Sequence, residues 1–177
     1  MNNVFVFCAS ERRARANFRR TVLNRIPEAE VLSCFPAEKH AELLAWQEQA
    51  GGFYAWGIRP GKRVLTMLNT VQAGDCVLGF FDFRYQIVSK LIGKAENTGF
   101  ADKMWGSNSW SSIIFISKPR EISIPASEVV PYLCSTYRGA TRIGEQRIEK
   151  IVKNFGSIQA FCQKFFSGPD ETTRQWT

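Results

Sequence analysis

Valine and phenylalanine alternate in "NVFVFCAS" (residues 3–10), a β-rich run that predicts a β-strand near the start of the chain. The period then changes. In "ERRARANFRRTVLNRI" (11–26), Phe18, Val22 and Ile26 recur at i, i+4 and i+8. That spacing predicts a helix with one buried stripe, leaving Arg12, Arg13, Arg15, Arg19 and Arg20 on its other faces, and Pro27 follows its end. A second helix over "PAEKHAELLAWQEQA" (36–50) opens on a proline and stops at Gly51-Gly52, with Trp46 on its core side. "VLTMLNTVQ" (64–72) fits a short helix ending at Ala73-Gly74.

The middle of the chain reads as β-structure. "GDCVLGFFDF" (74–83) and "YQIVSKLIGKA" (85–95) are strands joined by a short turn near Phe83-Arg84. "SSIIFISKP" (111–119) is a near-continuous apolar run that suits a central strand, and "REISIP" (120–125) alternates. Val77, Leu78, Val88, Ile92, Ile114 and Ile116 are expected to contribute to the interior of one curved sheet or to its helix-covered face. "ENTGFADKMWGSNSW" (96–110) reads as a loop with one helical turn at 98–104. "ASEVVPYLC", "GEQRIEKIVKNFGS" and "SIQAFCQKFF" read as helices, with Gly156 stopping the second. The expected whole is a single α+β domain over residues 1–166, followed by a polar tail, 167–177, that carries Trp176.

Composition narrows the function. A net charge of +7 over 177 residues makes nucleic acid the first partner to consider, with an anionic membrane surface as the rival. No apolar run approaches the ~20 residues of a membrane helix. The short apolar stretch at the N-terminus has its charges after it, unlike a secretory signal. Cys8, Cys34, Cys76, Cys134 and Cys162 are odd in number and form no C-x-x-C pair, which favours small buried thiols in a cytoplasmic chain over disulfides or a zinc finger. The one histidine, His40, sits among charges and is expected to face solvent. One histidine excludes an HNH nuclease constellation and most zinc hydrolases. No E-x-K follows Asp75 or Asp82 at strand spacing, and there is no G-x-x-x-x-G-K-[ST] phosphate loop. So little catalytic chemistry points to a binding module without a cofactor.

Two stretches set aromatics among turn residues and cations: "FYAWGIRPGKRV" (53–64) and "KMWGSNSWSSIIFIS" (103–117). The succession "FYAWGI", "GDCVLGFFDFRYQIVSKLIGKAEN", "MWGSNSWSSIIFIS", "REISIP" resembles the EVE and YTH branch of the PUA-like superfamily in order and approximate spacing, across roughly residues 50–125. "YRGATRIGEQRIEKIVKNFGSIQAF" resembles the segment that follows such modules in modification-dependent restriction proteins, where the module precedes a McrB-type motor or a nuclease. The resemblance implies a small curved β-barrel flanked by helices that takes a modified nucleobase into an aromatic pocket. The implied partner is DNA carrying a modified base, with a reader of modified RNA as the alternative.

Extruding a base costs a few kcal/mol, and stacking on aromatic rings returns ~1–3 kcal/mol per base. One buried methyl adds only ~0.8 kcal/mol, so selectivity needs a rigid cage. Trp56, expected just after a Phe53-Tyr54 strand and before a turn at Gly57, is the first cage candidate. Trp105, before Gly106, is the second, and Trp110 is a third wall or a barrel plug; ordinary core packing is the alternative for all three. Asp82 is placed to accept from the exocyclic amino group of a flipped base, or else serves as a turn aspartate. Tyr54, Phe83 and Tyr85 are lesser pocket candidates. Ser107, Asn108 and Ser109 contact base edge or phosphate, or cap a turn. Arg59, Lys62, Arg63 and Arg84 are assigned to phosphates at the pocket mouth. The arginines of 11–20 form a second phosphate surface or a solvated face, and Arg138, Arg142 and Arg147 make a further basic group.

Overall fold

The computed structural model describes residues 3–167, so Trp176 and the tail from residue 168 lie outside the described residues. The chain begins with β1 (Val4–Cys8) and α1 (Arg12–Phe18), which runs on into a π-helical turn, Arg19–Leu23. Then come α2 (Glu28–Leu32), a 3-10 turn (Ala37–Lys39), α3 (His40–Ala50), β2 (Tyr54–Ile58) and α4 (Lys62–Thr70). The central hairpin is β3 (Cys76–Phe81) and β4 (Arg84–Glu96). It leads to α5 (Thr98–Trp105), a 3-10 turn (Asn108–Trp110), β5 (Ser112–Ile116) and β6 (Arg120–Pro125). The chain closes with α6 (Ala126–Val129), β7 (Ala140–Arg142), α7 (Glu145–Phe155) and α8 (Ile158–Phe166).

All seven strands join one sheet in the order β2-β5-β4-β3-β1-β7, with β6 also on β4. The strands expected near 75–82, 86–93 and 112–118 are therefore neighbours, as their patterns required. Only β1 and β3 run parallel. The spine is β4: Arg84–Val88 pairs with β6, and from Leu91 on the strand pairs with β5 through a bulge at Leu91/Gly93. Bulges bend a strand and increase its twist.

The bend is large. Four inter-strand steps separate β1 from β2, ~19 Å in a flat sheet. Yet the rings of Phe7 on β1 and Trp56 on β2 stack at 4.6 Å. The sheet must curl until its two ends face each other. The inside of the curl holds Phe5, Phe7, Tyr54, Trp56, Ile58, Val77, Ile87, Ile114 and Ile116, closed by Phe18 and Val22 of the first helix. Period-2 alternation sends Val4, Val6, Leu78 and Val88 to the opposite face, under α7 and α8. It sends Ala55, Ile113 and Phe115 outward against α2, α3 and α5. The curl stays open, because β2 and β7 form its two edges and do not pair. The expected small curved β-barrel flanked by helices is, in this chain, a strongly curved sheet that remains unclosed.

Several local expectations change. Trp56 lies inside β2, and Gly57 pairs with Ile113 instead of turning the chain. This glycine is needed for close approach: a Cβ there would sit 2.2 Å from the Trp105 ring. The 98–104 turn is a full helix, α5, capped by the Asn97 side chain, which accepts from the Phe100 N–H at 2.7 Å. "ASEVVPYLC" is helical only over Ala126–Val129. His40 is half-buried, and its Nε2–H donates to the carbonyls of Leu32 and Phe35, both at 3.0 Å. The β3–β4 turn falls on Asp82-Phe83, one residue earlier than expected, with φ of 52° and 56°. A two-residue hairpin favours such positive φ values but ordinarily uses Asn-Gly. A side-chain-bearing residue there costs ~1–2 kcal/mol.

Gly57→Ala should overpack the Trp105 contact by ~1–3 kcal/mol, which lowers Tm by roughly 2–12 °C. Gly61→Ala, whose added Cβ meets nothing within 4 Å, should leave Tm unchanged. Thermal denaturation of both variants checks the pair, and a Gly57→Ala protein as stable as the parent would refute the packing.

Candidate nucleic-acid interface

The open seam of the curl holds a cavity of about 450 Å³, within the range of small-ligand pockets. Its walls come from four places. Cys8, Ser10, Glu11, Ala14 and Asn17 belong to the end of β1 and to α1. Trp56, Gly57, Ile58 and Arg59 come from β2 and its exit, Trp105 and Trp110 from the segment between β4 and β5, and Tyr137–Ala140 from the entry to β7. A larger open groove of about 1390 Å³ continues between α4 and the β7 strand, and it shares Ile58, Arg59, Tyr137, Arg138, Gly139 and Ala140 with the cavity.

Each tryptophan is held differently. Trp56 is 8% exposed, with one face stacked on Phe7 and its edge against Phe18. Trp105, 4% exposed, ends α5, where Gly106 takes the left-handed conformation that stops the helix. Its indole N–H donates to Thr21 Oγ1 at 3.1 Å, and Thr21 Oγ1 donates in turn to the Ala55 carbonyl at 2.8 Å. Trp110 is half-buried, with the Arg13 guanidinium 4.8 Å over its ring. That arginine also donates to the carbonyls of Trp105 and Gly106 at 3.0 and 2.8 Å, so one cation caps α5 and braces two cavity walls.

The far wall is fixed by a tyrosine pair. Tyr85 donates to the Cys134 carbonyl at 2.9 Å, Tyr137 donates to Tyr85 at 2.9 Å, and the Cys134 N–H donates to the Tyr137 oxygen at 2.8 Å. Burial pushes the Tyr137 phenol up to about 12 and raises Tyr85 as well, so both are neutral donors. The pair pins the turn before β7, and the Gly139 carbonyl accepts from the Cys8 N–H at 2.8 Å.

The groove is basic. Arg59, Lys62, Arg63 and Arg138 line it, are exposed, and have no acidic partner within 4 Å among the described residues. Arg142 and Arg147 also line it but are engaged: Arg142 with Asn3 Oδ1 at 2.9 Å and Glu145 at 3.5 Å, Arg147 with the Val130 carbonyl at 3.3 Å.

Of the residues nominated from sequence, Trp56, Trp105, Trp110 and Arg59 line one cavity, and Arg59, Lys62 and Arg63 line the groove beside it. The others lie elsewhere. Tyr54 is buried inside the curl. Tyr85 is under the opposite face. Ser107 caps the 3-10 turn, accepting from the Ser109 N–H at 3.3 Å, and Asn108 is exposed. Asp82 pairs with Arg15 at the hairpin tip, Phe83 projects from that tip, and Arg84 Nε donates to Ser123 Oγ at 2.8 Å across β4 and β6. Glu11, Asn17 and Tyr137 went unnominated. The composition of "YRGATR" repeats the aromatic, glycine and arginine mixture of "FYAWGIRPGKR" and is the signal that marked the second wall. Glu11 and Asn17 left no signal, because the parallel pairing of β1 with β3 is what brings them to the cavity. Among the described residues no three His, Cys, Asp or Glu side chains gather as a metal-binding group.

No family model and no curated protein matches the sequence. Among solved structures, the chain is similar to the N-terminal domain of Thermococcus gammatolerans McrB bound to m5C DNA, with 14% identity, 88% of this chain and 98% of that one covered, and a TM-score of 0.65. Weaker likenesses are to the Pho92 YTH domain in complex with m6A (12% identity, 89% and 85% covered, TM-score 0.47) and to the YTH domain of Zygosaccharomyces rouxii MRB1 in complex with N6-methyladenosine RNA (14% identity, 90% of each chain, TM-score 0.39). The curled sheet with its flanking helices is thus similar in fold to the N-terminal domain of McrB.

Proposed function

We propose that this domain is a reader of modified nucleobases, which draws a base out of its stack into the seam cavity and holds the flanking phosphates in the groove. The observation that carries the reading is the convergence of Trp56, Trp105 and Trp110, from three separate elements, on one cavity that opens beside four exposed cations, Arg59, Lys62, Arg63 and Arg138. Ring surface offsets the cost of extrusion, and cations at the mouth meet the backbone on either side of the extruded nucleotide. Glu11 and Asn17, not Asp82, supply the polar edge: a carboxylate accepts from an exocyclic amino group, and a carboxamide both donates and accepts. DNA is the proposed partner, because the McrB domain that shares the fold is bound to m5C DNA. A restriction system, with a motor or nuclease on a fused or partner domain, is the proposed setting, and the domain itself is proposed to be a binder without catalysis in the cytoplasm. No helix among the described residues is long and apolar enough to cross a membrane.

Trp110→Ala is the cleanest test of the cage, because this ring is only half-buried. Preference for a duplex with one 5-methylcytosine or N6-methyladenine over the plain duplex should fall by ~5–150-fold, the equivalent of ~1–3 kcal/mol of stacking, with Tm little changed. Fluorescence anisotropy on modified DNA, plain DNA and single-stranded RNA with N6-methyladenosine reads the preference. A parent protein that prefers none of them defeats the reading, and one that prefers the RNA replaces DNA with the alternative partner. Trp56→Ala should lose the same preference and also melt roughly 6–20 °C lower, because its ring is a core ring as well.

Neutralising Arg59, Lys62 and Arg63 together should weaken modified and plain DNA alike. If each meets one phosphate, the slope of log K against log salt should flatten by roughly 2.7. Titrations at several salt concentrations check this, and an unchanged slope removes the groove from the interface.

A further inference from the structure

Phe83 is the most exposed large apolar side chain among the described residues, at 70%. It also sits at φ 56°, a conformation that glycine takes freely and that a bulky residue rarely adopts. The ring gains little burial to offset this strain, and such an outlier points from structure to function.

The hairpin tip is firmly held. Asp82 pairs with Arg15, whose guanidinium lies 5.3 Å over Phe81, and Phe81 sets its edge against Phe18 at 5.3 Å. The Phe83 carbonyl accepts from the Ala126 N–H at 2.9 Å. A rigid mount thus presents a free ring. Its position is also defined. Cys8, a cavity wall, pairs with Phe80, and the Ala9 N–H donates to the Phe80 carbonyl at 2.9 Å. Phe83 lies in the turn, two strand positions beyond the Phe80–Cys8 pair, so its backbone stands ~7 Å along the strand direction from the cavity wall, at the same end of the sheet. Arg12 and Arg19, three residues before and four after Arg15, share its helix face and are exposed, which puts positive charge beside the tip.

We infer that Phe83 is a wedge that enters a nucleic-acid duplex at the step from which the cavity has drawn its base. The inference rests on the base-reading function proposed above and adds that the substrate is double-stranded at the moment of recognition. Extrusion leaves a gap in the stack, and apolar side chains inserted between base steps fill such gaps and hold the helix open. A single strand has no gap to fill, so the wedge contributes nothing there.

The test compares the parent, Phe83→Gly and Phe83→Trp on one oligonucleotide with a single 5-methylcytosine or N6-methyladenine, as a duplex and as a single strand, with 2-aminopurine beside the modified base. Phe83→Gly should melt no lower than the parent, because glycine relieves the positive φ. It should bind the modified duplex ~5–150-fold more weakly, lose the 2-aminopurine fluorescence rise and bind the single strand as before. Phe83→Trp should restore duplex binding. Equal losses on duplex and single strand, or no loss on either while Trp110→Ala still loses its preference, overturn the wedge and leave the base-reading function standing. A parent that does not distinguish modified from plain nucleic acid in either form overturns both.

Discussion

The contact between Phe7 and Trp56 sets the shape of everything around it. These rings stack at 4.6 Å although their strands lie at nearly opposite ends of the sheet. Holding them together demands the curl, and bulges in β4, which bend a strand and increase its twist, accompany it. It also produces the seam. Once the inner face is packed with aromatic rings, β2 and β7 approach without pairing, and the gap between them is walled by side chains from both edges. The cavity is therefore a consequence of incomplete closure, which leaves an edge of β2 facing the space where a ligand would sit. Exposed edges invite aggregation, and here the π-helical turn lies along this one, with Thr21 Oγ1 donating to the Ala55 carbonyl at 2.8 Å.

The same contact removes an apparent choice between core and pocket. Trp56 stacks on Phe7 with one part of its surface and walls the cavity with another. Trp105 lies against Gly57, anchors its N–H on Thr21 and still reaches the cavity. A tryptophan buries so much ring area that it can serve folding and still present an edge or face to a ligand. Rigidity follows from that sharing. A cage that must sense one methyl cannot relax around it, and walls that are also core residues cannot move without cost to the fold.

Much of the fold was legible because burial imposes a period. The apolar runs of β1 and β5 reported strands covered on both faces, and positive-φ glycines at 51 and 156 end α3 and α7 where expected. The tryptophans and the cations after β2 were legible as unusual company. Errors arose where a residue had two possible reasons. Gly57 was read as a turn, but it is a strand residue kept bare for Trp105. Asp82 reads from the sequence as a base acceptor or a turn aspartate; it sits in the β3–β4 turn and pairs with Arg15, a partner 67 positions away that no local pattern reveals. α5 reads from the sequence as one helical turn at 98–104 within a loop, and the Asn97 capping signal is what marks the full helix. Which segments share the cavity was not legible at all, since it depends on the parallel β1–β3 pairing and on β7 returning to β1 from the other end of the chain.

Net charge proved a blunt guide to where a polyanion would bind. Several cations act inside the protein as caps and clamps. Lys94 donates to the carbonyls of Leu68 and Val71 at 2.6 and 2.7 Å and closes the end of α4, with burial lowering its pKa. Arg13 closes α5, Arg15 holds the β3–β4 hairpin, and Arg120 donates to the Phe166 carbonyl at the end of α8. A cation at a helix C-terminus satisfies orphan carbonyls and the helix dipole together, so these residues would be selected even in a protein that bound nothing. Arg59, Lys62, Arg63 and Arg138 have no such internal employment among the described residues. They cluster on one groove, where like charges repel and weaken the fold unless an anion joins them. A group of unpaired cations that the fold does not use is a stronger statement about ligands than a total of +7.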